Sequence, residues 1–119
     1  VIATLTALAL LQISPAFRTI DGDTVEIAGE TIRLIGIDAP EMGGRAACDA
    51  ERQLAVTARI ELAAFLTGGQ WTIEREGEDR YGRTLARILV GGEEAGEHLI
   101  AAGLAVAWDG HRHDWCAEG

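Results

Sequence analysis

Residues 19–37 read "TIDGDTVEI", "AGE", "TIRLIGI", and this run limits the fold more than any other feature of the chain. Side chains branched at Cβ suit a pleated strand and lose freedom in a helix. Ala28-Gly29-Glu30 reads as the connection of a hairpin. The period then changes. After "DAPEMGGRAA", a loop broken by Pro40 and Gly43-Gly44, residues 46–66 repeat apolar side chains every three or four positions: Ala47, Ala50, Leu54, Ala58, Leu62 and Phe65. That spacing predicts one long helix with a single buried stripe, ended by Gly68-Gly69.

The remainder alternates shorter segments. "QWTIERE" predicts a strand, "GEDRYGR" a polar loop and "TLARILVGG" another strand. "EEAGEHLIAAG" predicts a short helix with acids in its first turn and Gly103 at its C-terminal end. "LAVAW" reads as extended. The expected fold is α+β: a five-stranded OB-type β-barrel, a long helix after the third strand and a short helix after the fifth. At 119 residues the chain is large enough for one domain with a small core.

Residues 1–16 carry no charge, and Ser14-Pro15-Ala16 supplies small residues at the spacing of a signal-peptidase site. This segment reads as a signal-peptide remnant or as an N-terminal apolar element, with the domain proper at 17–119. A secreted, periplasmic or cell-surface location follows from the first reading. Cys48 and Cys116 are then expected to be bonded, as an even pair in an exported protein usually is; in a cytosolic protein they would be free thiols.

Three stretches concentrate groups suited to chemistry on an anion: "DGDT" at 21–24, "RLIGIDAPE" at 33–41 and "DRYGR" at 79–83. Asp23 and Asp38 are hard oxygen ligands for Ca²⁺ or Mg²⁺. Arg33 and Arg83 present planar donor forks that match phosphate oxygens. Glu41 is a carboxylate just beyond a Pro-stiffened turn and could take a proton from water. Each has a plainer reading. Asp-Gly-Asp is common turn chemistry, and the arginines suit surface ion pairs in an acidic chain. Strand parity separates the readings in part. A three-residue connection at 28–30 puts Asp23 and Arg33 on one side of the hairpin, whereas a two-residue connection puts them on opposite sides.

Taken together, D-G-D-T, R-x-x-x-x-D-x-P-E and a distal Y-G-R resemble the thermonuclease (staphylococcal nuclease-like) family over residues 17–108. The resemblance implies a Ca²⁺-dependent nuclease that hydrolyses DNA and RNA and leaves 3′-phosphate ends. It implies Ca²⁺ ligands at Asp23, Asp38 and the backbone carbonyl of Ala39, with Asp21 supporting them from behind. It implies Glu41 as the base, Arg33 and Arg83 on the scissile phosphate, and Tyr81 on a neighbouring one. Arg80 and Trp108 are further candidates for substrate contact, with Trp108 open between stacking on a base and packing on the barrel. Single-stranded or denatured nucleic acid is the expected partner, with no obligate protein partner and a monomeric state.

The formal net charge of −9, from 19 acids and ten arginines with no lysine, excludes a protein that grips nucleic acid through bulk positive field. It leaves room for the alternative of a catalytically weak or inactive OB-type module that binds nucleic acid or protein. His111, His113 and Cys116 lack the paired spacing of a zinc site. His98 reads as structural and Trp71 as core; Trp115 stays open between the core and a substrate contact.

Overall fold

The computed structural model describes residues 16–117. The segment read as an export-signal remnant, residues 1–16, lies outside the described residues apart from Ala16. In chain order the elements are β1 (Phe17–Asp21), β2 (Thr24–Ile27), β3 (Glu30–Leu34), β4 (Ile37–Asp38), a 3₁₀ turn (Gly43–Arg45), α1 (Asp49–Thr67), β5 (Trp71–Glu78), β6 (Thr84–Val90), β7 (Glu93–Glu94), α2 (Ala95–Ala101) and β8 (Val106–Ala107).

The α+β class holds, but among the described residues the strands do not close into a five-stranded barrel. The main sheet is mixed and runs β1-β2-β3-β6-β5, with β7 paired to β6; β4 and β8 form a separate two-stranded ladder. The edge strands β1 and β5 approach through side chains, Phe17 meeting Trp71 edge to face at 5.4 Å. Trp71 also donates its indole N–H to the Leu66 carbonyl at 2.7 Å, so it seals the core beside the end of α1. The fully buried centre of that core is Val25, Ile32, Leu34, Leu62, Ile88 and Leu99.

The hairpin closes with two residues, not three. Its register pairs Ile27 with Glu30, Val25 with Ile32 and Thr24 with Arg33. Ala28 (φ 50°) and Gly29 (φ 84°) both take the left-handed conformation that a tight hairpin turn matching the strand twist requires. Strand parity therefore argues against a meeting of Asp23 and Arg33. They meet all the same, because Gly22 and Asp23 form the turn between β1 and β2, where strict alternation no longer holds.

Helix α1 starts at Asp49, and its buried face is Glu51, Ala55, Ala58, Leu62 and Leu66; Ala47 and Ala50 are exposed. The stripe is thus offset from the expected one, and a glutamate opens it. At the other end of the chain, Glu93 and Glu94 form β7 instead of the first turn of α2. Gly103 (φ 76°) ends α2 as expected, with the Leu104 amide reaching back to the Leu99 carbonyl.

Gly22 is a packing glycine. A Cβ there would lie 2.7 Å from the Ala58 Cβ and 3.3 Å from the Ala39 Cβ, so the β1–β2 turn sits directly against α1. Gly22→Ala is expected to lower stability by about 1–3 kcal/mol through overpacking, read as the midpoint of urea unfolding. An unchanged midpoint would mean that the turn yields freely.

Candidate active site

Three chain crossings bring the motifs together. The β1–β2 turn carries Asp21 and Asp23. β3 and β6 pair in parallel, with Arg33 opposite Leu85, which sets Arg33 beside the strand that follows Arg83. β4 and β8 pair antiparallel, with Asp38 opposite Val106, and the Trp108 amide donates to the Gly36 carbonyl at 2.9 Å. Arg33, Arg83 and Trp108 consequently line one cleft of about 330 Å³, together with Gly36, Ile37 and Asp79.

Asp23 and Asp38 are buried, at 7% and 5% exposure. Asp23 takes an ion pair from Arg33 at 3.2 Å and a hydrogen bond from the Thr24 hydroxyl at 2.9 Å, while Asp21 accepts the Asp23 amide at 3.1 Å. Burial pushes the Asp23 carboxyl up to about 8; the adjoining Asp21 adds to the rise, and Arg33 and Thr24 oppose it. A cation beside Asp23 would oppose that rise. Asp38 accepts the His113 amide at 2.7 Å. Glu41 is half-buried, and its carboxyl is raised above the ordinary glutamate value. Burial is the main cause, Asp21 and Asp38 add to it, and Arg45 and Arg112 oppose it. Glu41 therefore belongs to the same acidic cluster.

The loop "DRYGR" is organised by Asp79. Its Oδ1 accepts the amides of Tyr81 and Arg83, each at 2.9 Å, and its Oδ2 accepts Arg83 Nε at 2.6 Å. Arg83 is therefore aimed by an acid of its own loop, and no hydrogen bond from its two terminal nitrogens is seen among the described residues. Tyr81 is 69% exposed, with the guanidinium carbons of Arg80 and Arg83 at 5.1 and 5.6 Å from its ring centre. Trp108 is half-exposed, whereas Trp115 is buried against the His113 ring. Cys48 and Cys116 are bonded, with Cα atoms 6.2 Å apart.

Among the described residues no three His, Cys, Asp or Glu side chains converge as a metal cluster. The buried aspartates of the motifs are Asp23 and Asp38. Both are hard oxygen donors of the kind that a divalent cation of the Ca²⁺ type takes.

Residues 31–116 match the family described as staphylococcal nuclease homologue. The chain belongs to this family. It is 35% identical over 103 residues to the thermonuclease of Staphylococcus intermedius, covering 76% of this chain and 56% of that protein. It is 30% identical over 109 residues to the thermonuclease of Staphylococcus hyicus, covering 81% and 59%. It is also 38% identical over 100 residues to the succinoglycan biosynthesis protein ExoI of Rhizobium meliloti (strain 1021), covering 76% and 49%. The chain thus spans about half the length of the curated relatives it matches.

Within this staphylococcal nuclease homologue the sequence reading missed Asp79, Glu51 and Arg112. Asp79 carried a readable signal, since Asp at the start of a polar loop commonly caps the amide two residues on. Glu51 carried a fainter one: it completes the run 51-55-58-62-66 at helical spacing. Arg112 carried none, because its partner lies 61 residues away.

Proposed function

We propose that the domain is a Ca²⁺-dependent nuclease that hydrolyses phosphodiester bonds of DNA and RNA. The observation that carries the reading is that Arg33 bridges two settings: it pairs with the buried Asp23 and lines the cleft shared with Arg83 and Trp108. An anion in that cleft meets two guanidinium forks at the edge of the acidic cluster. Asp23, Asp38 and the Ala39 carbonyl would hold the cation, with Asp21 supporting them. When bound, Ca²⁺ supplies charge neutralisation for the phosphate and for the acids around it.

The chain's own residues do the rest. Arg33 and Arg83 bind the phosphoryl oxygens and stabilise the charge that grows on them as water adds to phosphorus. Glu41 takes the proton of that water. The bond to the 5′-oxygen breaks, that oxygen takes up a proton from water, and a 3′-phosphate remains. Trp108 stacks on a base, while Tyr81 and Arg80 meet a neighbouring phosphate, which favours single-stranded or denatured substrate. The domain, residues 17–119, acts as a monomer without an obligate protein partner. The Cys48–Cys116 bond supports an exported location, where disulfides persist.

A specific observation favours a binding module instead: Arg33 and Arg83 each already pair with an acid, Asp23 and Asp79, in a chain of net charge −9. Incubation with denatured DNA and with RNA, in Ca²⁺ and in chelator, separates the two. The nuclease reading expects Ca²⁺-dependent cutting that Arg83→Ala lowers by about 10²- to 10³-fold. Binding without cutting, or cutting untouched by Arg83→Ala, overturns it.

A further inference from the structure

Glu51 is fully buried, yet it sits third in α1, where a solvent-facing acid is ordinary. From that position a glutamate commonly reaches back to the amide of the residue that caps the helix. Glu51 reaches further. Its Oε1 accepts the Ala47 amide at 2.8 Å and its Oε2 accepts the Glu41 amide at 2.8 Å. One carboxylate thus closes both ends of the 41–47 loop. Its charge is met by the Arg112 guanidinium, which bonds Oε2 from the C-terminal segment.

We propose that Glu51 and Arg112 are a positioning pair that fixes the backbone beneath Glu41 and so aims its carboxyl at the acidic cluster. A buried carboxylate with two amides and one guanidinium is well satisfied, and breaking one side of such a set leaves the remainder strained. The helix tolerates a charge at the head of its apolar stripe because that charge anchors a loop. Neither residue touches the cleft. The effect on reaction is carried entirely through Glu41, and in this respect the proposal rests on the nuclease reading above.

The test uses the whole protein with its disulfide intact. Glu51→Gln keeps the shape but turns one of the two accepting oxygens into an N–H donor, and Arg112→Gln leaves Glu51 in place. Both are expected to lower kcat by about 10- to 100-fold with KM for denatured DNA little changed, as for a displaced catalytic group. In a Glu41→Gln background neither should lower kcat further, because they act through that residue. A fall in kcat of the same size in that background identifies a general structural effect and overturns the proposal, as does wild-type kcat in both variants. Hydrogen exchange gives an independent reading. The Glu41 and Ala47 amides should lose protection in Glu51→Gln while the α1 amides beyond its first turn keep theirs. If the wild type does not cut, the nuclease reading alone falls, and unchanged protection at Glu41 and Ala47 then overturns the positioning pair.

Discussion

Glu41→Gln is expected to lower the Ca²⁺-dependent cutting of denatured DNA by about 10²- to 10⁴-fold, the usual loss when a general base is removed. Gln keeps the shape of Glu41 and gives up a 3.8 Å ion pair with the exposed Arg45, so the melting temperature should move little. The loss is therefore chemical. A carboxylate is a weak base at its ordinary pKa, and Glu41 is held above that value by burial, with Asp21 and Asp38 adding to the rise. The sign is favourable: a raised pKa makes the ionised form a better proton acceptor. In the metal-free protein an NMR titration should find a glutamate titrating above the ordinary range, and Glu41→Gln should remove that signal. Cutting at the wild-type rate by Glu41→Gln would place the base elsewhere.

The grouping of the candidate residues was legible in the sequence because they fall in three short motifs, each on a turn or at a strand end. "DGDT", "RLIGIDAPE" and "DRYGR" supply the side chains that meet at the cleft or the acidic cluster, save Leu85 of β6 and Trp108, which pairing with Gly36 brings in. Local chemistry could be read locally. What needed the fold was support at a distance. The parity rule read the hairpin by its connection length, and the two-residue turn at Ala28-Gly29 should have separated Asp23 from Arg33. A rule for regular strands does not extend into the turn where Asp23 sits. Glu51 failed for a related reason. A charge at the head of a helix reads as surface, and only its partners Glu41, Ala47 and Arg112 make it core. The open sheet has the same origin: sequence shows which segments are strands, whereas closure depends on whether β1 and β5 pair through their backbones.

Removing the disulfide should have the largest effect on stability. Replacing Cys116 with Ser is expected to destabilise the protein by about 2–4 kcal/mol, measured by urea unfolding of the variant against the oxidised wild type. The bond spans 68 residues of sequence and ties the residue that caps α1 to the C-terminal segment. Opening it frees the unfolded chain, and in the entropy model a loop of this length contributes about 4 kcal/mol. The folded side also weakens. Between Trp108 and Cys116 the segment is held by the Arg112 contact to Glu51, the His113 amide on Asp38 and the buried Trp115 ring. Trp115 is the main apolar anchor of that segment, at 3% exposure, and if its burial alone can keep the segment docked, the loss falls at the lower end of the range. Should the segment release, the amide at Asp38 and the guanidinium at Glu51 go with it. The Cys116→Ser variant then shows faster hydrogen exchange at His113 and a rate of cutting that falls along with its stability. An unfolding midpoint equal to that of the oxidised wild type would show that the bond is structurally idle.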